Sequence, residues 1–147
     1  MKPFLVVSAL TVALLWPGSL AQAMVHDGRS YAIEEAIPKL EQRRNPYILR
    51  EQWWFGDLEK RGRKVIRHQL YRGNDYWFWV GASEPSDRLS VHIYDPQGRL
   101  VDAESYRKEQ VAAARVEAEV TGSYYVVIQA LHVSQSTLGW AMLYGYR

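Results

Sequence analysis

A two-residue alternation of apolar and polar side chains runs from Phe55 to the C-terminus, and it limits the possible folds more than any other feature. In segment 65–71, for example, Ile66, His68 and Leu70 share one face. The Asp-Pro-Gln-Gly turn at 95–98 is a strong signal, because proline presets the second turn position and glycine accepts unusual backbone angles. Several short strands with regularly spaced turns predict a mainly β fold, an antiparallel β-sandwich.

One predicted strand is ambiguous. The alanines of segment 111–120 favour a helix, whereas Val116, Ala118 and Val120 alternate with glutamates, as in a strand. The other predicted strands are 65–71, 76–80, 89–94, a returning strand that begins at Leu100, 123–129 and 140–146.

The residues before the alternation have a helical period instead. Ile33, Ile37 and Leu40 recur at four- and three-residue steps, while Pro38 and Pro46 bias the chain away from helix at the preceding residue. The sequence therefore predicts a short N-terminal helical extension over 24–54. Its two helices cover about 30–45, with a kink or break at the first proline, and about 46–54. The β-sandwich domain is expected over 55–147.

The first 23 residues have the pattern of a cleavable secretory signal peptide. Lys2 precedes an apolar stretch over 4–16, a Pro-Gly pair follows, and Ala21 and Ala23 provide the small residues that a signal peptidase needs. The apolar stretch is shorter than the roughly 20 residues of a membrane-spanning helix, and no later segment is long enough to span. We therefore expect a periplasmic or secreted protein without a membrane span after cleavage.

The amino-acid composition excludes several kinds of site and gives no support to one class of partner. The chain contains no cysteine, which excludes disulfides, thiolate metal sites and a cysteine-linked lipid anchor. Removal of Lys2 with the signal leaves 17 basic against 16 acidic residues, a net charge of +1. This balance gives no electrostatic reason to expect nucleic acid as a partner.

Three segments of the chain resemble sequence patterns of the bacterial pre-peptidase C-terminal (PPC) domain. Segment 70–78 is similar to L-x-x-G-x-x-Y-x-F, segment 89–98 to L-x-L-x-L-Y-D-x-x-G, and segment 121–127 to T-G-x-Y-x-V-x. The resemblance implies a jelly-roll-like sandwich that is usually an accessory part of a larger secreted enzyme. The family's aspartate-rich segment is here 83–88, with a single aspartate, so calcium binding is not expected.

No familiar catalytic or metal-binding pattern is present in the sequence. The four histidines lack ligand spacing, and there is no G-x-S-x-G elbow. Most carboxylates lie at predicted turns or strand ends, where an aspartate usually caps its own backbone. We therefore predict no catalytic residue, no metal and no cofactor. A hydrolase that uses carboxylates or His92 near one end of the sandwich remains the alternative.

Aromatic residues are the most unusual part of the composition. Trp77 and Trp79 lie on the face opposite Phe78, so in a sandwich they are either covered or exposed. In the first case the N-terminal helices pack over them and bury Trp53 in the same cluster. In the second case they form a binding platform, since sugar rings stack on indoles and both Trp and Tyr dominate interfaces. The predicted platform residues are Trp77, Trp79, Tyr94, Tyr144 and Tyr146.

These features together predict an exported, non-enzymatic binding domain. Its expected partner is another exported protein or an envelope polysaccharide. The alternatives are a carbohydrate-binding module that uses the surface aromatics, and the unrecognised hydrolase.

Overall fold

Two antiparallel sheets form the protein in a computed structural model that describes residues 28–40 and 46–147. The elements are α1 (Gly28–Leu40), β1 (Ile48–Glu59), β2 (Arg63–Leu70), β3 (Asp75–Ala82), β4 (Arg88–Tyr94), β5 (Glu104–Lys108), β6 (Val111–Glu117), β7 (Gly122–His132) and β8 (Thr137–Tyr146). One sheet has the order β1-β8-β3-β6-β5, and the other has the order β2-β7-β4. The predicted mainly β, antiparallel sandwich is confirmed, while the jelly-roll-like detail stays a prediction.

The main core lies between the sheets and follows the predicted alternation. In β4 the buried residues Leu89, Val91 and Ile93 alternate with partly exposed ones, and in β2 the buried residues are Ile66 and Leu70. These side chains meet the inward face of β3 and β8. Because only one face of β2 and one face of β4 enter the core, a shift of one residue in register would expose the apolar side chains of these strands.

The predicted helix over 46–54 is wrong, because this segment belongs to strand β1. The apolar spacing of Ile48, Leu49 and Trp53 suits a helix face, but the aromatic run that follows has high strand propensity. Pairing with β8, in which Trp54 lies opposite Met142, favours the strand over the helix. The helical part described by the structure is therefore Gly28–Leu40, which continues through Pro38.

Two other strand predictions are resolved by pairing. Segment 111–120 contains strand β6, whose alanines are buried on both faces: Ala112 and Ala114 lie in the core between the sheets, and Ala113 packs in the cluster under α1. The strand expected to return from Leu100 is wrong in its start and its partner. Leu100 makes only an isolated bridge with Tyr94, and the next strand begins at Glu104 and pairs with β6 in the other sheet.

Helix α1 covers the outer face of the five-stranded sheet. Ala32 and Ala36 are fully buried against Trp77 and Trp79, and their small side chains allow a close approach. Glu35 accepts hydrogen bonds from Lys108, at 2.7 Å, and from the Tyr106 hydroxyl. The bonds from Lys108 and Tyr106 lower the pKa of the Glu35 carboxyl. These contacts attach the helix to β5 as well as to the central strands.

A buried carboxylate ties both ends of the sandwich chain to β3. Asp75 accepts hydrogen bonds from the Tyr47 hydroxyl at 2.5 Å, from Arg115 at 2.8 and 2.9 Å, and from Arg147 at 3.1 Å. The Arg147 guanidinium also lies 4.3 Å from the Tyr47 ring centroid. Burial alone would raise the pKa of Asp75, but the bonds from Arg115 and Tyr47 outweigh it and lower the pKa.

None of the helical residues described by the structure forms a segment long and apolar enough to cross a membrane. The predicted signal peptide, with Ala21 and Ala23, lies outside the described residues.

Candidate functional site

Trp77 and Trp79 are covered by helix α1, as in the first of the two arrangements predicted from the sequence. Their exposed fractions are 2% and 0%, and they pack against Ala32, Ala36 and Leu143. Their burial leaves no indole face for a ligand to stack on, so these two residues do not form a platform in this structure. They stabilise the attachment of the helix to the sheet instead.

The prediction that Trp53 joins this cluster is wrong. Trp53 is 40% exposed, and its ring centroid lies 4.9 Å from that of Phe55, which is 72% exposed. Both side chains lie on β1, the edge strand of the sheet, where the Arg29 guanidinium is 5.2 Å from the Trp53 ring centroid. The helix is centred on β3 and β8 and leaves this edge partly uncovered.

Tyr144 and Tyr146 lie together in an open pocket between the edges of the two sheets. The pocket has a volume of about 240 Å³. Strands β1, β2, β3 and β8 and the turn after β2 contribute its walls. The lining residues are Arg50, His68, Gln69, Tyr71, Asn74, Tyr76, Tyr144 and Tyr146. Of the predicted binding residues, these two tyrosines are the ones that line this pocket, while Trp77 and Trp79 lie together beneath the helix.

An irregularity of β1 places Arg50 in the pocket. Leu49 pairs with Gly145 and Trp53 pairs with Leu143, so three residues of β1 lie opposite a single residue of β8. Such a bulge bends the strand and redirects its side chains, and bulges are frequent beside functional sites. Here the Arg50 guanidinium is 5.8 Å from the ring centroid of Tyr146, within the range of a cation–π interaction.

The hydroxyl of Tyr76 is oriented by the turn that connects β2 to β3. It accepts a hydrogen bond from the backbone N–H of Tyr71 at 3.0 Å and another from Asn74 Nδ2 at 3.2 Å. Gly73 in this turn has φ 85°, a left-handed conformation that favours glycine. Since a phenol has one proton and two lone pairs, the proton of Tyr76 remains available to donate.

His68 forms the inner wall of the pocket, where it is surrounded by rings. Its ring centroid lies 4.6 Å from that of Tyr144, 5.3 Å from that of Trp54 and 6.0 Å from that of Phe78. His68, which shares a strand face with Ile66 and Leu70, is partly buried. Burial lowers the pKa of the imidazole, because the apolar surroundings disfavour its charged form.

We expect His68 to titrate below the ordinary histidine value of about 6.5. An NMR titration of the imidazole protons measures this directly, with N-acetylhistidine amide in the same buffer as the control. The unfolded state binds the proton more readily than the folded state, so protonation of His68 also lowers stability as the pH falls below 6.5. A midpoint at or above that of the model compound would contradict the burial of this ring.

Tyr94 does not belong to the pocket. It lies on the outer face of the three-stranded sheet, opposite Tyr125 of β7. On the same face, His92 Nδ1 lies 2.8 Å from Asp102 Oδ2, and Asp102 Oδ1 accepts the backbone N–H of Ile93 at 2.6 Å. The aspartate thus satisfies an edge donor of β4 and holds the imidazole. His92 belongs to the three-stranded sheet, whereas β1 and β8, which contribute to the pocket, belong to the five-stranded sheet.

Sequence reasoning missed most of the pocket. It gave no binding role to Tyr76 or His68, and it placed Arg50 in a helix. Segment 70–78 resembles a PPC pattern, but nothing in a single sequence reveals that the turn within it orients the Tyr76 hydroxyl. The bulge in β1 is invisible without the pairing partner.

Within the ranges 28–40 and 46–147, no group of three or more histidine, aspartate or glutamate side chains is placed to hold a metal ion. A comparison of the sequence with protein-family models and with curated protein sequences finds no match. The resemblance to the PPC domain therefore stays a prediction.

Proposed function

We propose that this protein is an exported, non-enzymatic domain that binds an envelope component in the pocket that Tyr144 and Tyr146 line, which we call the tyrosine pocket. The observation that carries the proposal is the open pocket itself, in which Tyr144 and Tyr146 flank a space of about 240 Å³. A concave site with a few convergent polar groups is the usual form of a small-ligand site. The PPC-like motifs support the same assignment, since that family consists of accessory domains of exported proteins.

The chemistry of the lining favours binding over catalysis. The eight lining residues include no aspartate and no glutamate, and their one histidine is partly buried among aromatic rings. Paired carboxylates or a histidine beside a nucleophile would be needed for the common hydrolytic mechanisms. The pocket instead combines ring faces with amide and hydroxyl groups.

Carbohydrate is the ligand chemistry that this combination suits best. The apolar C–H face of a sugar ring can pack on a tyrosine ring, while its hydroxyls can exchange hydrogen bonds with Gln69, Asn74 and the tyrosine hydroxyls. Among the partners considered from the sequence, an envelope polysaccharide is therefore preferred over another exported protein.

We expect Tyr146→Ala to weaken retention of the protein on immobilised envelope polysaccharide by about tenfold or more, because an aromatic anchor in a binding site contributes about 2 kcal/mol or more. Affinity electrophoresis in gels that contain the polysaccharide measures this. Tyr94→Ala is the matched control, since Tyr94 is also a strand tyrosine but lies outside the pocket. Equal retention of the wild type and Tyr146→Ala would argue against the pocket as the binding site.

Export is part of the same proposal. We expect a chain produced with its own N-terminus to mature to a form that begins at Met24, measured by intact mass. Replacing both Ala21 and Ala23 with Arg should block this processing, because a signal peptidase requires small residues there. Ala13→Leu, which keeps the apolar stretch, should be processed normally. A mature protein that retains residues 1–23 would contradict the proposal.

A further inference from the structure

We propose that the tyrosine pocket selects a sugar ring that carries a carboxylate, as a uronic acid does. This inference rests on the proposed function and adds the charge of the ligand to it. Three features of the pocket support it: the sign of its charge, the direction of its hydrogen-bond donors, and its size.

Among the residues that the structure describes, the pocket walls carry positive charge without a compensating carboxylate. Within this part of the chain Arg50 is the one lining residue with a full charge at neutral pH, and no acidic side chain forms an ion pair with it. Its position over the Tyr146 ring, 5.8 Å from the centroid, leaves the guanidinium beside the pocket. A guanidinium can bind a carboxylate through two parallel hydrogen bonds, which a neutral sugar cannot offer.

The Tyr76 hydroxyl is a second hydrogen-bond donor in the lining of the pocket. The Tyr76 hydroxyl already accepts two hydrogen bonds, from the Tyr71 N–H and from Asn74 Nδ2, so it acts toward a ligand as a donor. A carboxylate oxygen only accepts, and it therefore complements this arrangement. A sugar hydroxyl can accept the same hydrogen bond, but a bond to an ionised carboxylate is charge-assisted and therefore stronger.

The volume and the aromatic walls favour a single ring. At about 240 Å³ the pocket is smaller than the roughly 300–1,000 Å³ of sites for drug-sized ligands. Tyr146, which is partly exposed, and Tyr71, which is 58% exposed, provide the accessible ring surface for a sugar, whereas Tyr144 is buried in the core. The open mouth lets the ring be one unit of a polysaccharide or a free monosaccharide.

The test compares two probes that differ only at the carboxylate, methyl β-D-glucuronide and methyl β-D-glucoside, by isothermal calorimetry with the full mature chain. We expect the wild type to bind the glucuronide at least about tenfold more tightly, since hydrogen bonds between two charged groups are the strong ones. Arg50→Gln should remove this preference. Arg67→Gln, a change at an exposed strand arginine outside the pocket, should keep it.

Each other result has a distinct meaning. Equal binding of both probes, lost in Tyr146→Ala, would overturn the acidic-sugar inference and leave the binding function standing. Binding of neither probe by a protein that is still retained on envelope polysaccharide would also overturn only the inference. No binding in any of these assays would overturn both. Tighter binding of acetyl-Tyr-Ala than of the glucuronide would assign the pocket to a peptide carboxyl end instead. A glucuronide preference that survives Arg50→Gln would refute the role given to this arginine.

Discussion

Gly81→Ala is expected to release helix α1 from the sheet. A Cβ built on Gly81 would lie 1.9 Å from the carbonyl oxygen of Gly28, and a Cβ on Gly28 would lie 2.1 Å from the carbonyl oxygen of Gly81. Both contacts are with backbone, which cannot rotate away as a side chain can. The helix must therefore move, and we expect a loss of about 3 kcal/mol in the free energy of unfolding, at the upper end of the usual cost of overpacking.

The displaced helix should uncover Trp77 and Trp79, so acrylamide should quench tryptophan fluorescence more strongly in this variant. Gly56→Ala on the adjacent part of the sandwich is the matched control. Its added Cβ would meet only the Trp140 side chain, at 3.3 Å, so a smaller loss is expected. Unchanged quenching and unchanged stability of Gly81→Ala would show that the helix is not seated on β3.

Asp75→Asn is expected to cause the second large effect. The substitution leaves Arg115, Arg147 and the Tyr47 hydroxyl around a neutral amide that cannot satisfy them all. Removing one member of a buried charge network costs about 3–5 kcal/mol. The side chains of Asp75, Arg115 and Arg147 keep 13%, 20% and 22% of their surface exposed, so we expect roughly 2–3 kcal/mol instead. Chemical denaturation followed by circular dichroism measures the difference.

Glu117→Gln is the control for this change, because Glu117 bonds the same Arg115 but its side chain is 66% exposed. An exposed ion pair contributes about 0–1 kcal/mol, so this variant should stay close to the wild type. Equal losses in the two variants would mean that burial of the Asp75 network contributes nothing.

Acid should reproduce part of the Asp75→Asn effect. The folded state lowers the pKa of Asp75 below its unfolded value of about 3.9. The associated stability is therefore present above that value and is lost as the pH falls through the lower, folded-state pKa. Below pH 4, we expect wild-type stability to approach that of Asp75→Asn. A difference between them that is constant from pH 7 to pH 3 would contradict this assignment.

The sequence predicted what depends on local period and missed what depends on distant partners. Alternation in segments such as β4 identified the core face, because each side chain's environment follows its position in the strand. The prediction of a helix at 46–54 was wrong, because pairing with β8 outweighs the helical spacing of the apolar residues in this segment. The covering of Trp77 and Trp79 was among the predicted arrangements, and the steric fit of Gly28 to Gly81 that seats the helix could not be read from composition.

The candidate site was less accessible to prediction than the fold. Tyr144 and Tyr146 were selected because tyrosines on a strand can form a binding surface, and both line the pocket. A bulge in β1 places Arg50 in the pocket, and this bulge is defined by the pairing of β1 with β8. Tyr76 has the alternation of a core residue, and only the three-dimensional arrangement shows that its hydroxyl reaches the pocket.

The position of β8 has a consequence for the order in which the chain can assemble. This last strand lies between β1 and β3, so the five-stranded sheet cannot close until residues 137–146 have been synthesised. Contacts between residues so distant in sequence form slowly, because loop closure must precede them. This late closure would suit the export proposed above, because a chain that passes through a narrow translocation channel has to be extended.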